Sequence, residues 1–208
     1  MATLFAVIVL VFSAILHEIS HGFVAEKLGD PTARLAGRLT LNPLKHLDPF
    51  GSVILPLLLS LLPGGIIFGW AKPVPYNPFN LKNPEKGAAL IALAGPASNL
   101  LIAAVLSVVY RLIPFVAAGN QALLITGDLI SAVVLINIVL GIFNLVPIPP
   151  LDGAKVILPL IPDRAGNFKR FFYDQNQYGW LLLIVFVFIG LPLISPVILG
   201  LYHLLIGA

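Results

Sequence analysis

Long apolar stretches are the feature that most restricts how this chain can fold. A helix needs about 20 apolar residues to cross the hydrocarbon core of a bilayer. Three stretches meet that requirement: Leu4 to Leu28, Gly87 to Ile113 and Thr126 to Val146. Only 10% of the 208 residues are charged, whereas about a quarter are charged in soluble domains. So few charges cannot cover a water-soluble surface, and we therefore exclude a soluble enzyme and expect a membrane protein.

Two further apolar stretches are less regular than a simple membrane span. Phe50 to Trp70 is interrupted by prolines and glycines, and Tyr178 to Gly207 is about ten residues longer than one crossing needs. If Phe50 to Trp70 enters the bilayer and returns to the same side, every Lys and Arg except Arg111 lies on one side. Because cytoplasmic loops carry the excess of Lys and Arg, we expect a re-entrant segment, an outside N-terminus and a cytoplasmic connection after the first helix.

Two short segments in that connection are interpreted as strands. Leucines two or four residues apart recur in Thr32 to Leu41, and both this segment and Phe68 to Tyr76 are bounded by Pro and Asn. Unpaired strand edges cannot face lipid, so we expect the two strands to pair near the cytoplasmic surface and to leave one edge facing the protein interior. An extended peptide could add to that edge.

The expected fold class is an all-α polytopic membrane protein with four to six transmembrane or re-entrant helices and a small membrane-associated β-hairpin or sheet after the first helix. We find no internal repeat and no low-complexity linker, so we expect one domain over residues 1–208. Its helices are expected at about residues 4–28, 87–113, 126–146 and 178–207, with the re-entrant segment at 50–70. The pattern leaves open whether residues 178–207 form one helix or a broken pair.

The first apolar stretch contains His17, Glu18 and His21 in an H-E-x-x-H pattern. Residues four apart lie on one face of a helix, so both imidazoles can reach one zinc ion, and Glu18 can contact a metal-bound water as a general base. The same pattern arises by chance on exposed helices of soluble proteins. Inside a membrane helix, however, an acid costs about 2.5 to 3.5 kcal/mol on insertion scales. We therefore favour a metal site.

A catalytic zinc typically takes three protein ligands and leaves one position for water, so the two histidines need a third partner. The chain has no cysteine, and among its acids Asp152 alone follows directly on a membrane stretch. The prolines that precede it forbid a regular helix, and unwound chain at membrane depth must line a protein cavity or water. We favour Asp152 as the third ligand. The alternative is that Asp152 is the N-cap of the helix that follows.

Five motifs run through nearly the whole chain. They are H-E-I-S-H-G at 17–22, N-P-L-K-H-L-D-P-F-G-S at 42–52, F-G-W-A-K-P-V-P at 68–75, A-G-P-A-S-N at 94–99 and N-L-V-P-I-P-P-L-D-G at 144–153. In these motifs the chain resembles the site-2 intramembrane zinc metalloproteases, and it is most similar to the compact prokaryotic branch without an attached PDZ or CBS domain. The resemblance implies one zinc ion per chain on His17, His21 and Asp152, Glu18 as the catalytic acid/base, and cleavage of a substrate's transmembrane segment.

Three asparagines and one further histidine are candidates for supporting roles. Asn144 matches the last family motif and lies on nearly the same helical face as Asn137, and it could donate to the oxyanion of the tetrahedral intermediate. For Asn137 we favour a hydrogen bond between helices. Asn99 is open between helix packing and support of the site. His46 lies in a polar loop and is expected to be an ordinary surface histidine.

The expected function is that of a zinc metalloendopeptidase that hydrolyses a peptide bond in or near the transmembrane segment of a membrane protein. Its expected partners are that substrate and the lipid bilayer, without nucleic acid, and its oligomeric state is left open. We expect a multi-pass protein of the prokaryotic cytoplasmic membrane with its active site toward the cytoplasm. The alternative is a membrane zinc-binding or zinc-transport protein without proteolysis, although Gly87 to Ile113 offers only Arg111 along a transport path.

Overall fold

The computed structural model describes residues 2–54, 58, 71–117, 119–173 and 179–207. Short 3-10 turns in this part of the chain lie at Pro43–Lys45, Pro78–Asn80, Leu158–Leu160 and Asp163–Ala165, and π-helical turns lie at Pro49–Ile54 and Phe186–Gly190. The α-helices are α1 (Ala2–Lys27), α2 (Thr32–Leu35), α3 (Pro84–Ala117), α4 (Gln121–Leu145), α5 (Asp152–Ile157), α6 (Gly166–Tyr173), α7 (Gly179–Val185) and α8 (Leu191–Ile206).

Four helical segments among the described residues are long and apolar enough to cross a membrane. They are Leu4–Lys27, Pro84–Val116, Gln121–Leu145 and Leu181–Ile206. Local sequence explains where they begin and end. Gly29 follows α1 with a φ of 103°, a conformation that other residues rarely adopt. Asn83 and Asn120 precede α3 and α4, and their side-chain oxygens accept hydrogen bonds from backbone N–H groups of the first turn.

Helix α3 is the central element and packs against α1, α4, α5 and α8. Gly141 allows α4 to approach it closely, because a Cβ at this position would lie 2.8 Å from Cγ of Leu100 and 3.2 Å from the carbonyl oxygen of Pro96. A buried apolar core joins α3, α4 and α8 beyond this contact. Its members are Ala103, Val134, Ile138 and Ile198.

The last apolar stretch is helical throughout residues 179–206, because α7, the π-helical turn at Phe186–Gly190 and α8 follow one another directly. Its far end is held by α3. The guanidinium of Arg111 donates to the backbone carbonyl oxygen of Leu205 at 2.7 Å and also to that of Leu204. A cation at the carbonyl end of a helix complements its dipole, so this contact fixes the end of α8 against α3.

The expected β-hairpin after α1 is wrong, and the fold class is corrected accordingly: the residues that the structure describes contain no strand and no sheet. Where the first strand was expected, Thr32–Leu35 forms the short helix α2. The carboxylate of Asp30 begins this helix by accepting hydrogen bonds from the N–H and hydroxyl groups of Thr32. Leu35 and Leu41, which suggested a buried strand face, are 81% and 59% exposed.

The second expected strand, Phe68 to Tyr76, lies partly outside the described residues. Residues 71–77 have no regular secondary structure and no ladder partner in the part of the chain that the structure describes. Pro73 and Pro75 lack N–H groups, which prevents a regular ladder on this segment. The predicted re-entrant segment at 50–70 is described only at residues 50–54 and 58, so its path lies outside the described residues.

Candidate metal centre

Two histidines of α1 and one aspartate of α5 come together in the structure. Nε2 of His17 lies 3.0 Å from Oδ2 of Asp152, and Nε2 of His21 lies 3.2 Å from the same oxygen. One potential ligand atom of each residue lies within 4.8 Å of the other two. The three residues that the sequence suggested as zinc ligands therefore converge on one point, although 135 positions separate His17 from Asp152.

Neighbouring acceptors orient both imidazoles. Nδ1 of His21 donates to the carbonyl oxygen of Ile91 at 2.6 Å, and Nδ1 of His17 donates to Oδ1 of Asn99 at 2.7 Å. Because each of these oxygens can only accept, the hydrogen of each neutral imidazole lies on Nδ1. Each Nε2 consequently keeps its lone pair, and this is the arrangement in which histidine binds a metal.

Asp152 reaches the histidines because the chain turns sharply after α4. Helix α4 ends at Leu145, and a short turn through the prolines leads to α5, which Asp152 begins. Gly153 permits this turn, since a Cβ at Gly153 would lie 2.2 Å from the carbonyl oxygen of Leu145. The N-cap residue of α5 is Leu151, and no side chain makes a capping hydrogen bond there. The structure thus does not support the alternative that Asp152 is an N-cap.

Gly95 of α3 lies directly against the two imidazoles. A Cβ at this position would lie 2.5 Å from Nε2 of His17 and 2.5 Å from Nε2 of His21. A side chain at this position would collide with both imidazoles, so only glycine keeps the space beside the two Nε2 atoms open. Two imidazole nitrogens and one carboxylate around such a space are a donor set that fits zinc, which in catalytic sites takes three ligands of these kinds.

Glu18 lies beside His17 on α1 and lines the same cavity as the three ligand candidates. Its Oε2 accepts a hydrogen bond from the backbone N–H of Val74 at 2.8 Å. Segment 71–77 is therefore held against α1 by the acid of the H-E-x-x-H pattern itself. The N–H group of Val74, which a substrate strand would need at this edge, is already used.

Buried polar groups of the connection after α1 hold segment 71–77 from outside the site. The guanidinium of Arg38, which is 6% exposed, donates to the carbonyl oxygens of Lys72 and Pro73. His46, expected at the surface, is only 1% exposed, and its Nε2 donates to the carbonyl oxygen of Thr40 at 2.8 Å. The expectation of a surface histidine is wrong, because the loop folds back over the cavity, which His46 also lines.

Asp30 fastens the far end of the same segment, a role that the sequence did not indicate. Its carboxylate is fully buried and accepts hydrogen bonds from the N–H of Asn77 at 2.6 Å and the side-chain amide of Asn80 at 2.7 Å. Burial opposes ionisation of Asp30. The hydrogen bonds, including those from Thr32, outweigh burial and hold the pKa of this carboxyl below its ordinary value.

A cavity of about 450 Å³ lies in front of the metal centre. Much of its wall is apolar, with contributions such as Val11, Phe143 and Leu183. Asn144, the candidate oxyanion donor, also lines it, and its side-chain amide donates to the carbonyl oxygen of Leu140 in its own helix at 2.9 Å. Among the described residues Asn144 makes no hydrogen bond to His17, His21 or Asp152.

Apolar helices that enclose the two histidines and the glutamate of an H-E-x-x-H pattern, together with an aspartate as third ligand candidate, define the class of membrane-embedded zinc metalloproteases. Comparison with known proteins gives the family. The family model described as Peptidase family M50 matches residues 5–123 and 114–189. The chain belongs to this family, which contains the site-2 proteases.

Individual relatives agree with the family. The chain is 38% identical to "Putative zinc metalloprotease YwhC" of Bacillus subtilis, over 87% of this chain and 78% of that protein. It is 32% identical to "Putative zinc metalloprotease Rip2" of Mycolicibacterium smegmatis, over 83% of this chain and 62% of that protein. It is 26% identical to "Zinc metalloprotease MJ0392" of Methanocaldococcus jannaschii, over 87% of this chain and 41% of that protein. No solved structure matches the chain.

These findings confirm the resemblance to the site-2 proteases and zinc as the cofactor. The chain is a multi-pass membrane protein and a zinc metalloprotease.

Proposed function

We propose that the protein hydrolyses a peptide bond in or near the transmembrane segment of another membrane protein, as an intramembrane protease of the site-2 type. The observation that carries this proposal is the convergence of His17, His21 and Asp152 within apolar helices that are long enough to cross a membrane. A hydrolytic site at that depth has lipid-embedded polypeptide as its nearest substrate. The largely apolar wall of the adjoining cavity supports a hydrophobic segment as that substrate.

In this proposal His17, His21 and Asp152 hold the zinc ion. When bound, zinc supplies a Lewis acid that polarises a carbonyl group and lowers the pKa of a bound water toward about 7. The protein contributes the orientation of the three ligands, the space kept open by Gly95 and the restriction of water to the cavity.

Glu18 is the general acid/base. As a carboxylate beside the metal ligands it can take a proton from the attacking water and return it to the leaving amine. The hydrogen bond from the Val74 N–H to Oε2 fixes the position of this carboxylate.

Asn144 is the second residue to which we assign a catalytic role. Its amide group has two N–H donors, and one of them is used by the carbonyl oxygen of Leu140. The other is available on the cavity wall for the substrate carbonyl oxygen, on which negative charge develops during attack.

We also propose that the site opens toward the cytoplasm. The end of α1, the start of α3 and the end of α4 lie at the end of the protein where Asp152 meets the histidines. The basic residues of the connections lie there too: Lys169 of α6, for example, bonds Glu85 in the first turn of α3 at 2.8 Å. Arg111 lies at the opposite end, against the last turn of α8. This distribution is the one that the positive-inside rule associates with a cytoplasmic face.

The test compares purified wild-type protein with two variants, Glu18→Gln and Asp152→Ala, reconstituted in liposomes with a model single-span substrate. Glu18→Gln should retain zinc and lose cleavage by a factor of about 10² to 10⁴, since only the proton carrier is removed. Asp152→Ala should lose zinc as well. Glu26→Gln removes an acid from the same helix two turns away, where Glu26 pairs with Arg34, and it serves as the matched control.

Cleavage by Glu18→Gln at the wild-type rate would refute the role of Glu18. A wild-type protein that holds zinc but cleaves no single-span substrate in the bilayer would instead favour zinc binding or transport without intramembrane proteolysis.

A further inference from the structure

A buried hydrogen-bonded chain runs across three helices and ends on His17. It contains Ser13 and His17 of α1, Asn99 of α3 and Asn137 of α4. Both asparagines are fully buried, and Ser13 and His17 are 5% and 6% exposed. Two side-chain amides without hydrogen-bond partners at membrane depth would cost several kcal/mol, so we expect both asparagines to be hydrogen-bonded.

The contacts form a continuous series. Nδ1 of His17 donates to Oδ1 of Asn99 at 2.7 Å, and Nδ2 of Asn99 donates to Oδ1 of Asn137 at 2.9 Å. Nδ2 of Asn137 then donates to the carbonyl oxygen of Val133 at 2.9 Å and to Oγ of Ser13 at 3.0 Å. A second bond joins Nδ2 of Asn99 to the carbonyl oxygen of Ser13 at 3.3 Å.

Two backbone carbonyl groups set the direction of the whole series. The carbonyl oxygens of Val133 and Ser13 can only accept, so each must face an NH₂ group, and this decides which end of each asparagine amide is the oxygen. Oδ1 of Asn99 is thereby directed at the imidazole. His17 can satisfy it only with a hydrogen on Nδ1, which leaves the Nε2 lone pair toward Asp152 and the space kept open by Gly95.

We propose that Asn99 and Asn137 are positioning residues of the zinc site, which fix the tautomer and orientation of His17 from α3 and α4. The proposal deepens the proposed function and rests on its assignment of His17 as a zinc ligand. It differs from helix packing alone in one respect. Packing requires that Asn99 fill its volume and bond across helices, whereas positioning requires specifically the oxygen that accepts from Nδ1 of His17.

The experiment measures zinc affinity by competition with a chelator and the visible absorption spectrum of the Co²⁺-substituted protein. Both measurements use the full chain in lipid nanodiscs and need no substrate. The variants are Asn99→Leu, which keeps the volume but loses the acceptor, Asn99→Asp, which keeps an acceptor oxygen, and Asn137→Leu. Ser107→Ala is the matched control, because Ser107 is a buried polar residue of the same helix α3 and its side-chain hydrogen bond among the described residues is to the Ala104 carbonyl oxygen of that helix, 2.7 Å away.

Asn99→Leu should weaken zinc binding about 10- to 100-fold and alter the Co²⁺ spectrum, which is the usual effect of removing the partner of a metal-bound histidine. Asn99→Asp should retain more zinc affinity than Asn99→Leu, because one carboxyl oxygen accepts the bond from Nδ1 of His17 and the other, when protonated, donates in place of the lost amide group. Asn137→Leu should give a smaller loss than Asn99→Leu, since Asn99 then keeps its bond to the Ser13 carbonyl oxygen. Ser107→Ala should match wild type in both measurements.

Wild-type zinc affinity and an unchanged Co²⁺ spectrum in Asn99→Leu would overturn the proposal. So would an equal loss of affinity in Asn99→Asp and Asn99→Leu, because that result assigns Asn99 to packing. If Asn99→Leu does not fold, Asn137→Leu tests the proposal in its place. Unaltered zinc affinity and an unaltered Co²⁺ spectrum in Asn137→Leu would show that Asn137 and its hydrogen bonds do not position His17. Neither measurement depends on cleavage, so the result can be interpreted even if the proposed protease activity is not found.

Discussion

Gly95 determines how near α3 comes to the histidines of α1. In a helix interior glycine is less stable than alanine by about 0.5 to 1 kcal/mol, so its presence there has a local cost. The structure shows what offsets this cost. Because Gly95 has no side chain, α3 lies directly against the imidazoles of His17 and His21, whose Nε2 atoms meet the carboxylate of Asp152.

We therefore predict that Gly95→Ala impairs zinc binding. A Cβ 2.5 Å from both Nε2 atoms must displace either α3 or the imidazoles. Overpacking of this kind costs about 1 to 3 kcal/mol, which corresponds to a loss of zinc affinity of about 5- to 150-fold. Chelator competition measures the effect. Gly200→Ala in α8 is the control, since a Cβ there meets no atom of the described residues within 4 Å. Equal affinity in both variants would contradict the prediction.

The role of a residue in the site could be predicted from the sequence for some residues and not for others. His17, Glu18 and His21 could be grouped in advance because a helix puts positions four apart on one face. Asn99 could only be left between two roles, since its partner on His17 is 82 positions away. His46 was placed wrongly for the same reason: local polarity does not show that a loop folds back against the rest of the protein.

At the scale of elements, Gly141 lets α4 pack closely on α3 near the site. Gly141 meets Leu100 and Pro96 of α3, which directly follow Asn99 and Gly95 in the chain. Close approach of this kind drives helix association in membranes, where lipid is as apolar as the helix surface. The position of α4, and with it the turn that delivers Asp152, depends on this contact.

Two glycines of α4 make a matched pair that tests this dependence. Gly141→Ala should destabilise the protein by about 1 to 3 kcal/mol, because the added Cβ would lie 2.8 Å from Leu100. Gly127→Ala should be neutral or stabilising by up to about 1 kcal/mol, because its Cβ meets Ile113 at an ordinary 3.5 Å and alanine favours the helix. Thermal unfolding in detergent compares them. A lower Tm for Gly127→Ala than for Gly141→Ala would be inconsistent with the packing described.

The long helices and the short segments between them were not equally predictable. Twenty or more apolar residues admit few structures in a bilayer, so the spanning helices follow from composition. The expected strands failed because their signal was a few alternating residues. In Thr32–Leu35 the hydrogen bonds from Thr32 to Asp30 start a helical turn instead, and prolines in residues 71–77 prevent a ladder.

For the whole molecule, the absence of cysteine in the sequence allows a direct test of orientation. Phe79 is 93% exposed in the connection before α3, and Gln121 is exposed at the start of α4, at the other end of α3. We predict that Phe79→Cys reacts with a membrane-impermeant maleimide only in inside-out vesicles, and that Gln121→Cys reacts in intact cells. Labelling of Phe79→Cys from outside would show that the site opens away from the cytoplasm.

By itself the sequence determined that the protein lies in a lipid bilayer and that two histidines of its first helix can bind a metal. Both depend on neighbours along the chain, namely runs of apolar residues and ligands one helical turn apart. Tertiary structure alone decided the third ligand of the metal site. Asp152 joins the histidines only because α4 packs on α3 and the chain then turns at Gly153. The asparagine series that orients His17 exists only where three helices meet, and contacts between residues so far apart leave no periodic trace in a single sequence.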